Sequence, residues 1–394
     1  MRKLVAPRSP AVLVAALLAC SDDQPLPLVA SSVAAGGSHT CAVATAFALF
    51  CWGGNAAGQL GLGQGDAATH PRPERVAGNL AFSQVTTGLS HTCALASGGV
   101  AYCWGSNFSG QLGDGTIIYR AEPTPVVGNL SFASLSAGAL VTCGITGAGS
   151  AYCWGDNSAG SLGIGDTTGP DVCLGGACSR TPIAVSGNHA FAMLSTGGLF
   201  VCGVTTVGAA YCWGANAWGQ LGIGSHTIQT TPAPVDTTLE FSSISVGSAH
   251  TCGVLTDSLA YCWGFNQYGQ LGNGTEADAA RPVRVSGTER FRAVHAGGFH
   301  TCGLISNATA FCWGLNLSGE LGNGSFTTAL NPVAITGGLR FVALTASASG
   351  HHSCGRLASG AVYCWGNNAF GQLATGTAGG SFNRPLRVVG PSPD

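Results

Sequence analysis

Lysine is nearly missing from this chain: Lys3 is the single one among 394 residues. That excludes chemistry carried by a lysine, such as a Schiff base or the lysine of a phosphate-binding loop. Charge of either sign is sparse, at 8% Asp, Glu, Lys and Arg together. Beyond Arg2, Lys3 and Arg8, twelve arginines face seventeen acidic residues, a balance near −5. A nucleic-acid binder needs a basic surface to exchange for condensed counterions, so nucleic acid is excluded as a partner. Catalytic signatures are missing as well. No G-x-S-x-G, H-E-x-x-H or phosphate loop occurs, and carboxylates such as Asp114, Asp156 and Asp166 have no partner that repeats with them. No C-x-x-C is present and the histidines do not follow finger spacing, which argues against zinc. The expectation is a protein with no enzyme activity, no cofactor and no metal.

Cysteine and glycine, by contrast, are plentiful, at 17 and 62 residues. Seven pairs of cysteines stand ten residues apart: Cys41 with Cys51, Cys93 with Cys103, Cys143 with Cys153, Cys202 with Cys212, Cys252 with Cys262, Cys302 with Cys312 and Cys354 with Cys364. Each pair ends in Trp-Gly, and the CWG triplets follow one another at 52, 50, 59, 50, 50 and 52 residues. A period near 50 signals a propeller or an array built from one repeated unit. The regular pairing reads as a disulfide framework, which requires an oxidising compartment. Cys173 and Cys178 form an eighth expected pair, inside the nine-residue excess of the third interval.

The second repeat shows the local logic. Its apolar positions alternate over short runs bounded by Gly, Ser and Asn, as half-buried strands require. Four strands are expected, over Phe82–Thr87, His91–Leu95, Val100–Trp104 and Pro123–Val127. If Cys93 faces Cys103 across antiparallel strands, the connection is a short hairpin centred on Gly98. The seven CWG tryptophans then supply buried area, and the asparagine of each CWGxN run (Asn55, Asn107, Asn157, Asn216, Asn266, Asn316, Asn368) bonds turn backbone.

The pattern G-x-x-H-T-C-x-L, followed by Y-C-W-G-x-N-x-x-G-Q-L-G-x-G, resembles the repeat of the regulator of chromosome condensation family over nearly all of residues 30–390. The resemblance implies an all-β, seven-bladed propeller of four-stranded antiparallel blades, with one disulfide per blade, around a central channel. The paired cysteines depart from the intracellular members of that family and fit export. One further strand after the last CWG, Arg384–Val389, is expected to complete the sheet or close the ring.

At the N-terminus, Arg2, Lys3 and Arg8 precede an apolar run over Ala11–Ala19 that is too short to span a bilayer. Leu17-Leu18-Ala19-Cys20 resembles the lipobox of bacterial lipoproteins, which implies cleavage before Cys20 and its lipidation. The expected organisation is a signal over residues 1–19, a tether over 20–29, the propeller over 30–390 and a tail over 391–394. The expected setting is the outer membrane or cell surface, or the periplasm or medium if Cys20 carries no lipid. The lipid would be the one membrane contact of a monomeric protein.

Three sets of residues are candidate sites. A histidine stands two places before the first cysteine in five repeats (His39, His91, His250, His300, His352), with Val141 and Phe200 in the other two. Because apolar residues replace it, a buried histidine bonding to backbone is expected over a ring of metal ligands. The segment Asp166–Thr181 would form a stapled loop. The variable positions around the x-N-x-x-G turns hold Phe108, Trp218, Phe265, Tyr268, Leu315, Leu317 and Phe370. Turns repeated at one place in every blade gather on one face, where exposed apolar side chains suit a binding patch. The function expected is a non-catalytic scaffold on the bacterial envelope that presents these loops to a protein or glycan. An inhibitor of a secreted or periplasmic enzyme is the alternative, with a guanine-nucleotide exchange factor or a hydrolase sited in the channel further behind.

Overall fold

The computed structural model describes residues 27–391. The expected signal, Cys20, the start of the tether and the end of the tail lie outside the described residues. The fold is an all-β propeller of seven antiparallel blades, six of four strands and one of five. In the second blade the strands are Phe82–Thr87, His91–Ala96, Ala101–Gly105 and Arg120–Pro125, ordered from the channel outwards. The outer strand begins three residues before its expected start, because Arg120 pairs with Gly105 while Pro125 pairs with Tyr102.

Cys93 lies directly opposite Cys103, and the same register holds in every blade. All seven expected blade disulfides are formed. Cys41 is bonded to Cys51, Cys93 to Cys103, Cys143 to Cys153, Cys202 to Cys212, Cys252 to Cys262, Cys302 to Cys312 and Cys354 to Cys364, with Cα atoms 4.0–4.1 Å apart. These fourteen cysteines are fully buried. Outer strands carry prolines, for example Pro71, Pro123, Pro232, Pro282 and Pro332. Proline is tolerated on an edge strand, where its missing N–H leaves no gap in a ladder, and it discourages pairing with another sheet.

Ring closure involves no exchange of strands. The first blade is built from Ala30–Ala35, His39–Ala44, Leu49–Gly54 and Thr69–Arg75, and the last ends with its own outer strand, Ser381–Arg387. The final strand therefore completes a sheet, and the ring shuts through side chains and a bridge between Val29 and Ala361.

Each CWG tryptophan is fully buried and packs on the blade before its own. Trp104, for instance, joins Cys41, Cys51 and Leu60 of the first blade. Its Nε1 donates to the Gln59 carbonyl at 3.0 Å, and Thr92 Oγ1 donates to that same oxygen at 2.8 Å. The seam between last and first blades repeats this clasp, with Trp52 and Thr40 donating to the Gln372 carbonyl. In the first six blades the glycine after the Gly-x-Leu run leaves room for the indole, and Ala374 takes that place in the seventh. A Cβ on Gly272, whose φ is +66°, would lie 2.6 Å from Trp313 Nε1. Trp313→Ala is expected to cost about 3–5 kcal/mol through the cavity it leaves, whereas Trp218→Ala on the surface should cost under about 1 kcal/mol. Urea unfolding followed by near-ultraviolet circular dichroism checks both values.

Candidate functional site

Two faces follow from the strand order. The hairpins between second and third strands, and the links from each outer strand to the next blade, lie at one end, the hairpin face. The G-x-x-H turns and the long loops after each CWG lie at the other. Within each long loop the asparagine fixes the backbone. Asn266 Oδ1 accepts from Leu271 N at 2.9 Å while its Nδ2 donates to the Thr275 and Ala277 carbonyls, both at 2.9 Å. Gln270 Oε1 accepts from Tyr268 N at 3.1 Å. The loop is thus held by side chains of its own repeat, and residues one or two places beyond the asparagine project from it.

Projection decides which candidate residues reach solvent. Phe108, Trp218, Tyr268, Leu317 and Phe370 are exposed, Leu317 at 74%. Phe265 is half-buried, and Leu315, at 7%, is buried, which corrects its reading as a surface residue. Both precede the asparagine, immediately after the third strand ends at Gly264 and Gly314. Their N–H groups bond back to the Ala249 and Phe299 carbonyls of the adjoining turn, so the side chains are partly or wholly enclosed.

Around Phe265 the rings form a continuous run across blades. Trp218 meets Phe265 with centroids 4.8 Å apart, Phe265 meets Tyr268 at 6.0 Å and Phe299 at 5.9 Å, and Tyr268 meets Phe299 at 5.6 Å. Phe299 continues to His351 at 6.2 Å. His351 Nδ1 lies 3.1 Å from Oε1 of Glu320, whose carboxylate is fully buried and accepts from Ser318 N. Phe299, His351 and Glu320 were not among the sequence candidates. The signal was a departure from the repeat: Phe299 and His351 stand where the first two blades have Ser38 and Ser90, and Glu320 stands where five blades have glutamine.

The stapled segment is also on this face. Cys173 and Cys178 are bonded, and Asp171–Cys173 pairs with Gly176–Ala184 to give the third blade its fifth strand. It is therefore an extension of the sheet rather than a loose projection. Leu174 N donates to the Phe108 carbonyl at 3.1 Å, and Val172 and Leu174 are 86% and 79% exposed. Arg180 bonds Asp171 at 2.6 Å and holds that carboxyl below the usual range.

The five histidines are interior, but their partners are hydroxyls of the next blade, not backbone. His39 reaches Thr92 Oγ1 at 2.9 Å, His91 reaches Thr142 at 2.9 Å, His250 reaches Thr301 at 2.9 Å, His300 reaches Ser353 at 2.7 Å, and His352 reaches Thr40 at 2.8 Å. Because each of these hydroxyls donates to a carbonyl, the imidazole Nε2–H is the donor to it. Burial lowers their pKa values to about 3 for His39, His250, His300 and His352 and about 4 for His91. Among the described residues no group of three or more His, Cys, Asp or Glu is placed to hold a metal ion.

The central channel narrows to a cavity of about 150 Å³ with no carboxylate among its lining residues. Hydroxyls there are occupied by neighbouring blades: Thr86 Oγ1 accepts from Ala137 N, Ser195 Oγ from Val246 N and Ser245 Oγ from Ala296 N, each at 3.0 Å.

A family model described as Regulator of chromosome condensation (RCC1) repeat matches residues 48–95, 98–145, 207–254, 257–304 and 359–393, more than half of the chain. A second model of the same description matches 82–111, 241–270 and 345–372. Among curated proteins, the probable E3 ubiquitin-protein ligase HERC4 of Rattus norvegicus is 40% identical over 82 residues, 21% of this chain and 8% of that protein. The ultraviolet-B receptor UVR8 of Arabidopsis thaliana is 40% identical over 85 residues, 22% of this chain and 19% of that receptor. The matched stretch thus spans less than a fifth of either relative's length. Among solved structures, Prp20p of Saccharomyces cerevisiae superposes with a TM-score of 0.75 at 21% identity, covering 86% of this chain and 85% of that one. Human WBSCR16 does so with a TM-score of 0.77 at 20% identity, covering 86% and 93%. At these identities the likeness is one of fold.

Proposed function

Because the chain belongs to the regulator of chromosome condensation repeat family, we propose that it is a non-catalytic binding scaffold of the bacterial envelope, presenting its long-loop face to a protein or glycan. The eight disulfides point to an oxidising, extracytoplasmic compartment. Among the described residues no helix is long and apolar enough to cross a membrane, and attachment through a lipid on Cys20 is part of this proposal. Prp20p is described with binding properties to Gsp1p and histones, so a related fold elsewhere serves as a platform for other proteins.

The observation that carries the reading is the aromatic run from Trp218 to His351. Exposed aromatic rings packed edge to face offer large contact area with little side-chain entropy left to lose, the composition of binding hot spots. Loops held by their own asparagines on a disulfide-stapled frame provide the preorganisation.

The test is comparative capture from the organism's own envelope and secreted fractions. Bait is the oxidised Cys20→Ser protein beside a form that also carries Trp218→Ala and Tyr268→Ala and has an equal melting temperature. A species held by the first and retained at least about tenfold less by the second is the expected result. Identical recovery by both would remove the aromatic run from the function.

A further inference from the structure

The hairpin face has a charge pattern opposite to that of the protein as a whole. In the fifth to seventh blades it carries Arg284, Arg290, Arg292, Arg340, Arg356 and Arg387, half of the twelve described arginines. Five of these are exposed and Arg356 is half-buried. The carboxylates of the same three blades at that end are Glu240, Asp257 and Glu289, half as many as the arginines, while Glu276, Asp278 and Glu320 lie in the long loops. Among the described residues none of the six arginines forms an ion pair. Several are steered by backbone carbonyls instead. Arg290 Nη1 donates to the Asp257 carbonyl at 3.4 Å, Arg340 Nη1 to Asn307 O at 3.1 Å and Thr309 Oγ1 at 2.6 Å, and Arg292 to the Val342 carbonyl.

Apolar tips stand beside this crescent. Phe47, on the first blade's hairpin, is 57% exposed and held at φ 62°. Val29 is 44% exposed, and its carbonyl accepts from Thr45 N of the same hairpin at 3.2 Å. Leu80 is 37% exposed in the next link. The described chain enters the propeller here, where Ala30 N donates to the Gly360 carbonyl at 2.9 Å, and not at the aromatic end.

We propose that the hairpin face docks on a lipid bilayer bearing anionic headgroups, with the guanidinium crescent on lipid phosphates and Phe47 and Val29 in the headgroup layer. Arginine matches phosphate with a planar fork of donors. Basic side chains flanked by a few apolar tips make the pattern of a surface that lies on a membrane without crossing it. Docked this way, the propeller holds the aromatic run away from the bilayer. The inference does not require acylation at Cys20, because the face is built entirely from described residues, and its test uses lipid-free protein.

The Cys20→Ser chain, oxidised and at low salt, is sedimented with vesicles of phosphatidylcholine alone or with about 30 mol% phosphatidylglycerol. At least about tenfold stronger partitioning onto the anionic vesicles is expected, lost in about 0.5 M salt. Changing Arg284, Arg290, Arg340 and Arg387 together to glutamine should reduce binding to the neutral-vesicle level. The same four changed to lysine should stay within about threefold of the parent, since lysine keeps the charge, and equal melting temperatures confirm that both variants fold. Phe47→Ser should weaken binding further. Equal partitioning onto both vesicles, undiminished binding of the glutamine form, or binding to heparin or duplex DNA without binding to vesicles would each overturn the proposal.

Discussion

Between pH 7 and pH 5 the folded protein is expected to lose most of its stability. Six imidazoles have pKa values lowered by desolvation to about 3 or 4: the five buried seam histidines and His295, half-buried in the channel. In the unfolded chain the same groups titrate near 6.5. Below that pH the unfolded state takes up protons that the folded state refuses, so stability falls as pH falls from about 6.5 towards 4. At pH 5 each such histidine costs about 2 kcal/mol, and six reach the 5–15 kcal/mol by which folded domains are normally stable. His70 acts in the other direction. Desolvation lowers its pKa, but hydrogen bonds to Glu74 and Asp66 outweigh that and raise it, so it favours the folded state on acidification. It is half-buried and opposes six. Urea midpoints followed by tryptophan fluorescence from pH 7.5 to 4.5 provide the measurement, and a flat profile down to pH 5 would contradict the argument. His91→Phe, which installs the residue found as Phe200 at the equivalent place, should shallow the pH dependence by about one proton's worth.

Reduction should be as damaging as acid, but only to a chain that is not yet folded. Each blade disulfide closes a loop of about ten residues, which corresponds to a ceiling of about 2–3 kcal/mol in lost unfolded-state entropy. Even at half that value, eight bridges amount to a whole domain's stability. Refolding from urea in excess dithiothreitol is therefore expected to yield no cooperative melt. The native protein should behave otherwise, because the seven blade pairs are wholly buried. Cys173 and Cys178 are also buried, but they staple an edge strand of three residues, which frays without opening the core. Brief phosphine treatment of the Cys20→Ser chain, alkylation and peptide mass analysis should find label at those two positions alone. Uniform labelling of all sixteen bonded cysteines, or an unchanged melt after reduced refolding, would refute this account.

What the sequence made legible and what it hid have a common physical basis. Repetition at ten and about fifty residues is local information, so the cysteine pairing, the hairpins and the asparagine-bound turns could be read from one blade. Contacts between blades could not. The partner of His39 is Thr92, 53 residues on, and nothing in the H-T-C run distinguishes a hydroxyl acceptor in the next repeat from nearby backbone. Leu315 and Leu317 look alike in sequence, yet one is enclosed directly after a strand while the other projects from a turn. The start of the outer strand is hidden because Arg120, Ala121 and Glu122 carry no apolar alternation, although Arg120 pairs with Gly105. The aromatic run needed the ring itself: Trp218 and His351 lie 133 residues apart and are linked only when four blade tops come together.

That the ring shuts without borrowing a strand has a consequence for the order of events during folding. Every seam but one joins consecutive repeats, so each new blade can dock on its predecessor as soon as both are formed. The remaining seam pairs Thr40 with the Gln372 carbonyl, 332 residues away. Trp52 is thus the first tryptophan of its kind to be synthesised and the last to find its seat, and until the seventh blade arrives its binding surface waits uncovered. Contacts of such long range are slow to form. In the interval a growing, open arc presents two complementary raw ends to every other arc in solution, which favours head-to-tail association between chains at high concentration. Dilute refolding should accordingly give closed monomers, and the yield should fall with protein concentration faster than the stability of the finished ring would suggest.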